Sequence, residues 1–273
     1  MEHLERNASL LPFLAVSAAV SAALCLRLHA AGAAALGLFL LLFLAAYLAL
    51  WLLLILALLL LSIGAPDAPQ MRRRPFFVWL VGHVEGMMLA AARVRIHATG
   101  LEKLPAGRFL LVCNHRSNFD PIVLGWTLRN CDLAFVAKPV LLSAPVMGAI
   151  LRKANYLAID REDNRAALKS ILAAAALIRN DVSSVGIFPE GTRNTGAELL
   201  PLRTGAFKIA QRANAPIAIA ALRGSDQVRR RAPWRHTDIH LELCTVLPAA
   251  QVAEMNTFEI GEEVRKCITS AVC

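Results

Sequence analysis

The sequence predicts an α/β fold: a largely parallel sheet flanked by helices, preceded by N-terminal transmembrane helices. Three observations lead there. Short apolar runs recur through the second two thirds of the chain with helical stretches between most of them. Two long, almost uninterrupted apolar runs occupy the beginning. The net charge of +9 arises wholly after residue 66, because Arg6 and Arg27 offset Glu2 and Glu5 in the first part. Strand-helix alternation implies parallel strands covered on both faces, and the charge partition separates a lipid-compatible segment from a basic, water-compatible one.

The first run extends from Leu10 to Leu26 and the second from Ala33 to Ile63. As a helix the second is about 45 Å long against a hydrocarbon core of about 30 Å, so it spans with tilt or extends past the interface. The first is near the minimum length for spanning, and Arg27, His29 and Gly32 separate the two. A secretory signal fits the first run poorly, since Glu2 and Glu5 stand where a cationic cluster belongs. Pro66, Pro69 and the triplet Arg72-Arg73-Arg74 follow. Positive residues beside a span favour the cytoplasmic side, so the expected location is the cell membrane with the remainder on its cytoplasmic face. The expected organisation is a membrane region over residues 1–70 with one or two spans, a membrane-proximal helix over 71–94, and an α/β domain over 95–273. In the middle segment, Phe76 to Ala92 mixes Phe77, Trp79, Leu80, Met87 and Met88 with His83 and Glu85, as a helix lying near a membrane surface does.

In the α/β part, strands are expected at Val94–His97, Phe109–Cys113, Leu133–Ala137, Asn155–Ile159, Ser184–Phe188, Pro216–Leu222 and Ile239–Val246. The clearest helix is Glu162 to Arg179, where Ala167, Leu168, Ile171, Leu172, Ala175 and Ile178 recur at helical spacing. Ligands of such sheets bind beyond the carboxyl ends of the strands. His115, Arg161 and Glu190 each follow an expected strand end, so three separate segments converge on one cleft.

Two clusters at those ends carry the chemistry. Asn114-His115-Arg116-Ser117-Asn118-Phe119-Asp120 follows the strand ending at Cys113. Histidine acts as a base near neutral pH, and a nearby carboxylate orients it. On one helix a five-residue offset leaves side chains roughly 140° apart, so His115 is expected in the turn before a helix that carries Asp120. His97 also has a carboxylate five residues on, Glu102, but lacks the preceding asparagine and has Gly100 between, and reads as a strand-end residue. In the second cluster, Phe188-Pro189-Glu190-Gly191-Thr192-Arg193, Gly191 allows close backbone approach, Thr192 offers a hydroxyl and Arg193 a planar fork suited to phosphate.

Together these clusters resemble the glycerolipid acyltransferase family, membrane enzymes that acylate lysophosphatidic acid and related acceptors. Its Asn-His-x-x-x-x-Asp and Phe-Pro-Glu-Gly-Thr-Arg motifs are both matched in full. Tyr156-Leu157-Ala158-Ile159-Asp160-Arg161 resembles the intermediate motif, in which an arginine closes a strand, and Arg203-Thr204-Gly205 resembles a basic-x-Gly element. Ala215-Pro216-Ile217 matches the last motif in part, with Ile219 where the family has a second proline. The resemblance implies transfer of an acyl chain from acyl-CoA or acyl-carrier protein to the free hydroxyl of 1-acyl-sn-glycerol 3-phosphate, forming phosphatidic acid. In that reading His115 is the base and Asp120 holds its other ring nitrogen. Arg193 and Gly191 bind the acceptor's phosphate, Glu190 shapes the loop or orders the arginine, and Arg161 and Arg203 add charge. The role of Asn114 stays open between fixing the turn and donating to the oxyanion. Direct transfer is expected over an acyl-enzyme, since Cys113 belongs to a buried strand and nothing marks Ser117 as activated.

The residues leave the acceptor's headgroup open, with lyso-ornithine lipid or a lysophospholipid as rivals. A non-catalytic lipid or carrier-protein binding module is a further rival, though it has no need of the histidine-carboxylate pair. Nucleic acid is a poor match for the basic charge, because the arginines are not interleaved with a stacking aromatic set and the chain has only 2 tyrosines. The 6 cysteines show no Cys-x-x-Cys spacing, which argues against zinc and a disulfide framework. His236 and His240 read as solvent-facing strand residues about 13 Å apart, too far for one metal. No phosphate loop or dinucleotide fingerprint occurs, and no bound cofactor is implied.

Overall fold

A computed structural model of the chain describes residues 11–27, 32–66, 70–159, 163–194, 196 and 198–272. It divides into two compact units, Met1–Ile63 and Gly64–Cys273. The first unit holds α1 (Leu11–Arg27) and α2 (Gly32–Ser62), which pack against each other. Ser17 and Ser21, one turn apart, are buried on α1, and the Ser21 hydroxyl donates to the Ser17 carbonyl at 2.6 Å. Over Ala35–Ser62, α2 is apolar on every face, and it is the one described helix long and apolar enough to cross a membrane.

The second unit is a seven-stranded sheet with helices on both faces. In chain order it contains α3 (Pro75–Ala91), β1 (Val94–Thr99), β2 (Leu110–Cys113), α4 (Asp120–Thr127), β3 (Leu133–Ala137), α5 (Pro139–Leu142), α6 (Pro145–Lys153), β4 (Leu157–Ala158), α7 (Asn164–Arg179), β5 (Ser184–Ile187), α8 (Lys208–Ala213), β6 (Ile217–Arg223), α9 (Val228–Arg231), β7 (Thr237–Leu247), α10 (Ala249–Glu254) and α11 (Thr257–Val272). The strand order is β1-β7-β6-β2-β5-β3-β4, parallel throughout except where β7 meets β6 antiparallel. The expected α/β architecture with a largely parallel sheet is therefore what the chain forms.

Alternation along the strands sorts the core into two layers. Leu110 and Val112 of β2 join Ile217, Ile219 and Ala221 of β6 beneath α7, α8 and α11. Leu111 and Cys113 join Ala218, Ala220 and Leu222 beneath α3 and α4. The period-two pattern thus buries both faces of each central strand, which is why these runs read as continuously apolar.

The helices end where local chemistry dictates. Asp163 caps α7, its carboxylate accepting from Arg165 N at 2.8 Å and Ala166 N at 3.1 Å; the expected start at Glu162 lies outside the described residues. The strand expected over Asn155–Ile159 shrinks to Leu157–Ala158. Asn155 takes a left-handed φ of 64°, and its amide bonds Gln70 N and the Arg72 carbonyl instead of a neighbouring strand. α3 and α4 approach through glycine: a Cβ on Gly86 would lie 2.5 Å from the Trp126 ring, and one on Gly125 2.4 Å from the Glu85 carboxylate.

Candidate active site

β2 and β5 are hydrogen-bonded neighbours. The chain leaving β2 forms α4 on one face, whereas the chain leaving β5 forms α8 on the other. Adjacent parallel strands whose connections depart to opposite faces open a crevice at their carboxyl ends. The two motif clusters fall there, one after each strand.

His115 sits in the turn after β2, and α4 begins at Asp120, as the five-residue spacing anticipates. The His115 Nδ1 lies 2.8 Å from Asp120 Oδ2. The same oxygen accepts from the backbone N–H groups of Arg116 at 2.6 Å and Ser117 at 2.7 Å. Asp120 is fully buried. Because Asp120 accepts, Nδ1 carries the ring proton and Nε2 keeps its lone pair, a tautomer inferred from the hydrogen-bond network. The ring stacks on Phe188 with centroids 4.2 Å apart, and its side chain is 19% exposed, so Nε2 remains within reach of a substrate. Among the described residues Nε2 makes no hydrogen bond.

The second cluster is fastened to the first. Gly191 N donates to the Phe188 carbonyl at 3.0 Å, closing a turn with Pro189 at its second position. Gly191 takes a φ of 73°, a conformation that favours glycine there. Glu190 is buried and accepts from His115 N at 2.8 Å and Leu200 N at 3.1 Å. Asn194 N donates to the His115 carbonyl at 2.7 Å, and Arg203 N to the Pro189 carbonyl at 2.8 Å. Thr192, Arg193 and Arg203 are exposed. Asn114 is buried, with its carbonyl oxygen accepting from Leu222 N at 2.8 Å and its amide donating to the Leu222 carbonyl at 3.0 Å. It thereby extends the β2–β6 ladder by one side chain.

The sequence-derived candidates thus separate. His115, Asp120, Asn114, Glu190 and Gly191 form one bonded cluster. Thr192, Arg193 and Arg203 present exposed side chains from the same loop, which Glu190 and Arg203 N tie down. Arg161 lies outside the described residues. Arg116 was not among the candidates, yet its side chain donates to the Gly196 carbonyl at 3.1 Å and reaches Asp226 at 3.8 Å. Its position next to His115 was the available signal. Cys113 is buried, and burial pushes its thiol well above the ordinary range, which disfavours a thiolate nucleophile.

Residues 95–222 match the family model described as Acyltransferase, a stretch that includes both clusters. Over those residues the chain is similar to the acyltransferase family. A 1-acyl-sn-glycerol-3-phosphate acyltransferase from Cocos nucifera is 31% identical over 57% of this chain and 50% of its own length. One from Salmonella typhimurium is 26% identical over 71% of this chain and 78% of its own. The chain spans about half the length of the Cocos nucifera relative. The chain also has the fold of a solved 1-acyl-sn-glycerophosphate acyltransferase, PlsC, from Thermotoga maritima, with TM-score 0.61 and 19% identity over 71% of this chain and 78% of that one.

Proposed function

We propose that this protein transfers an acyl chain from acyl-CoA or acyl-carrier protein to the free hydroxyl of 1-acyl-sn-glycerol 3-phosphate, forming phosphatidic acid at a membrane. The carrying observation is the His115–Asp120 bond of 2.8 Å at the carboxyl edge of β2, which leaves Nε2 as the proton acceptor. In this reading the acceptor hydroxyl donates its proton to Nε2 as its oxygen attacks the thioester carbonyl. Asp120 stabilises the imidazolium that results. Collapse of the tetrahedral intermediate expels the thiolate, which takes the proton back from His115 and leaves as thiol. The ester product and the neutral histidine remain, so the base is regenerated without a covalent enzyme intermediate.

Arg193 and Gly191 are assigned to the acceptor's phosphate, with Thr192, Arg203 and Arg161 adding donors and charge around it. An exposed guanidinium on a loop tied to the base is suited to an anionic headgroup that arrives from outside the fold. Asn114 and Glu190 are assigned as positioning residues, since Asn114 ties the end of β2 to Leu222 of β6 and Glu190 accepts from His115 N. The acyl donor is a substrate, and no bound cofactor enters this scheme.

The names of the Cocos nucifera and Salmonella typhimurium relatives favour 1-acyl-sn-glycerol 3-phosphate as acceptor over another lyso-lipid. Purified full-length protein should acylate 1-acyl-sn-glycerol 3-phosphate faster than lyso-ornithine lipid or lysophosphatidylcholine, assayed with both donor types. Preference for a different lyso-lipid would move the headgroup assignment. Absence of transfer to every acceptor would favour a binding module.

A further inference from the structure

The segment between β6 and β7 carries a feature that the acyl-transfer chemistry does not use. Arg93, Arg231, Trp234, Arg235 and His236 line one solvent-open hollow. Arg229 and Arg230 are exposed beside it on α9. Trp234 is 84% exposed, more than any other large hydrophobic side chain among the described residues. None of these arginines lies within ion-pair reach of a carboxylate among the described residues. Of the nearby acids, Asp238 lies 2.9 Å from His97 and 3.7 Å from His236 of the hollow itself, and Asp226 meets Gln227 at 2.7 Å and Arg116 at 3.8 Å, so no carboxylate answers the arginines.

We propose that this surface docks the acyltransferase domain onto an anionic phospholipid bilayer. Uncompensated like charges repel one another, and an anionic surface relieves that repulsion. Clustered arginines are attracted to acidic headgroups within a Debye length of the membrane. Tryptophan sits well at the headgroup level, where one end of the indole is apolar and the N–H stays wet.

Placement supports the same occupant. β7 runs antiparallel to β6, with Arg223 opposite His240, so residues 224–236 lie beyond the carboxyl end of β6. That is the edge on which β2 and β5 present the two motif clusters. Leu222 is bonded to Asn114, and Asp226 faces Arg116, so the docking segment is held to the His115 turn. Along α3, Phe76, Trp79, His83, Val84 and Met88 are exposed, and this largely apolar face ends shortly before Arg93. A lipid substrate would then reach the crevice without leaving the membrane surface, although the docking itself does not depend on acyl transfer.

The test uses the full chain reconstituted in phosphatidylcholine vesicles, with and without phosphatidylglycerol, whose acyl chains are brominated to quench nearby indoles. The Trp234 signal is the difference between the wild-type protein and Trp234→Phe, both checked for native circular dichroism. Quenching of that signal is expected in the vesicles containing phosphatidylglycerol. It should be lost without that lipid, at high salt, and in the combined Arg229→Gln, Arg230→Gln, Arg231→Gln variant. A Trp234 signal unquenched in both vesicle types overturns the proposal. Equal quenching in both also overturns it, because the contact would then be independent of charge. If quenching is absent but an acidic acyl-carrier protein shifts Trp234 emission, the surface is a protein site instead. None of these readouts measures acyl transfer, so failure here is distinct from failure of the proposed activity.

Discussion

His115 is constrained through its ring and through both of its backbone groups. Its Nδ1 meets a buried carboxylate, its ring lies on Phe188, its N–H reaches Glu190 and its carbonyl takes Asn194 N. An imidazole so constrained needs little reorganisation to accept a proton, as the proposed base role requires. Its loss should therefore appear in turnover, with the fold intact. His115→Ala is expected to reduce turnover by about 10²–10⁴-fold at saturating acceptor. Asp120→Asn should fall nearly as far, since an uncharged amide orients the ring poorly and cannot stabilise the imidazolium. Steady-state assays of folded variants decide this, and wild-type turnover in His115→Ala would remove the general-base assignment. Arg193 belongs to the opposite kinetic category. A charge-assisted contact to phosphate is worth about 1.5–3 kcal/mol, or roughly 10- to 150-fold in binding. Arg193→Ala should raise the acceptor's apparent KM by that order and leave the donor's nearly unchanged. Lysine should restore it in part, because it keeps the charge without the planar fork. A selective effect on the donor would reassign the loop to the donor's phosphates.

At the scale of elements, α3 is held to the sheet's helical cover by an unusual contact. Glu85 is buried against Gly125, and Tyr156 donates to its carboxylate at 3.4 Å. Burial pushes the Glu85 carboxyl up to about 8 from an ordinary 4.5, with Tyr156 opposing the shift. The folded protein therefore holds this proton up to about pH 8, whereas the unfolded chain releases it near 4.5. Between those values the unfolded state binds fewer protons, so stability falls as pH rises, by at most about 1.4 kcal/mol per pH unit. Glu85→Gln cannot lose a proton and should flatten that slope. Denaturant midpoints of the full chain in detergent across the window would show it. An unchanged slope in the variant would assign the pH dependence to other groups. Sequence reading placed Glu85 on a membrane-proximal helix but could not find its burial, because the glycine that admits it, Gly125, stands on a different helix.

The whole molecule joins an all-apolar helix to a basic α/β unit. Arg72-Arg73-Arg74 has two physical uses. Arg73 pairs with Asp132 at 2.5 Å, and Arg74 contacts Gln70 and the Phe77 ring, so part of the triplet belongs to the α/β unit. The same charges, beside a segment capable of spanning, favour the cytoplasmic side. The expected topology keeps the α/β unit inside the cell, where the proposed acyl donors are found. Protease added to intact cells should spare residues 95–250, and cleavage there would reverse the orientation. The basic surface around Trp234 belongs to this scale too, since its use depends on what the rest of the chain brings near it.

Much of this was legible because the signals are local. Alternation of apolar runs identified six strands with small differences at their ends, since both faces of a central parallel strand are buried and its residue types report that directly. The spacing of His115 and Asp120 located a turn followed by a helix, because five residues cannot share one helical face. The strand at Leu157–Ala158 was overestimated, as Asn155 turns away to bond the chain before α3. Which residues touch across the crevice was decided only by tertiary structure. Asn114 could have faced a substrate, and its bonds to Leu222 exist because β6 lies beside β2. Glu190 could have ordered an arginine, and instead it bonds His115 N because β5 is the neighbour on the other side. Sequence by itself determined the strands, the apolar N-terminal helices and the chemical identity of the cluster, all of which depend on neighbours along the chain. Strand order, the burial of Glu85 and the basic rim around Trp234 depend on neighbours in space, which no spacing in the sequence encodes.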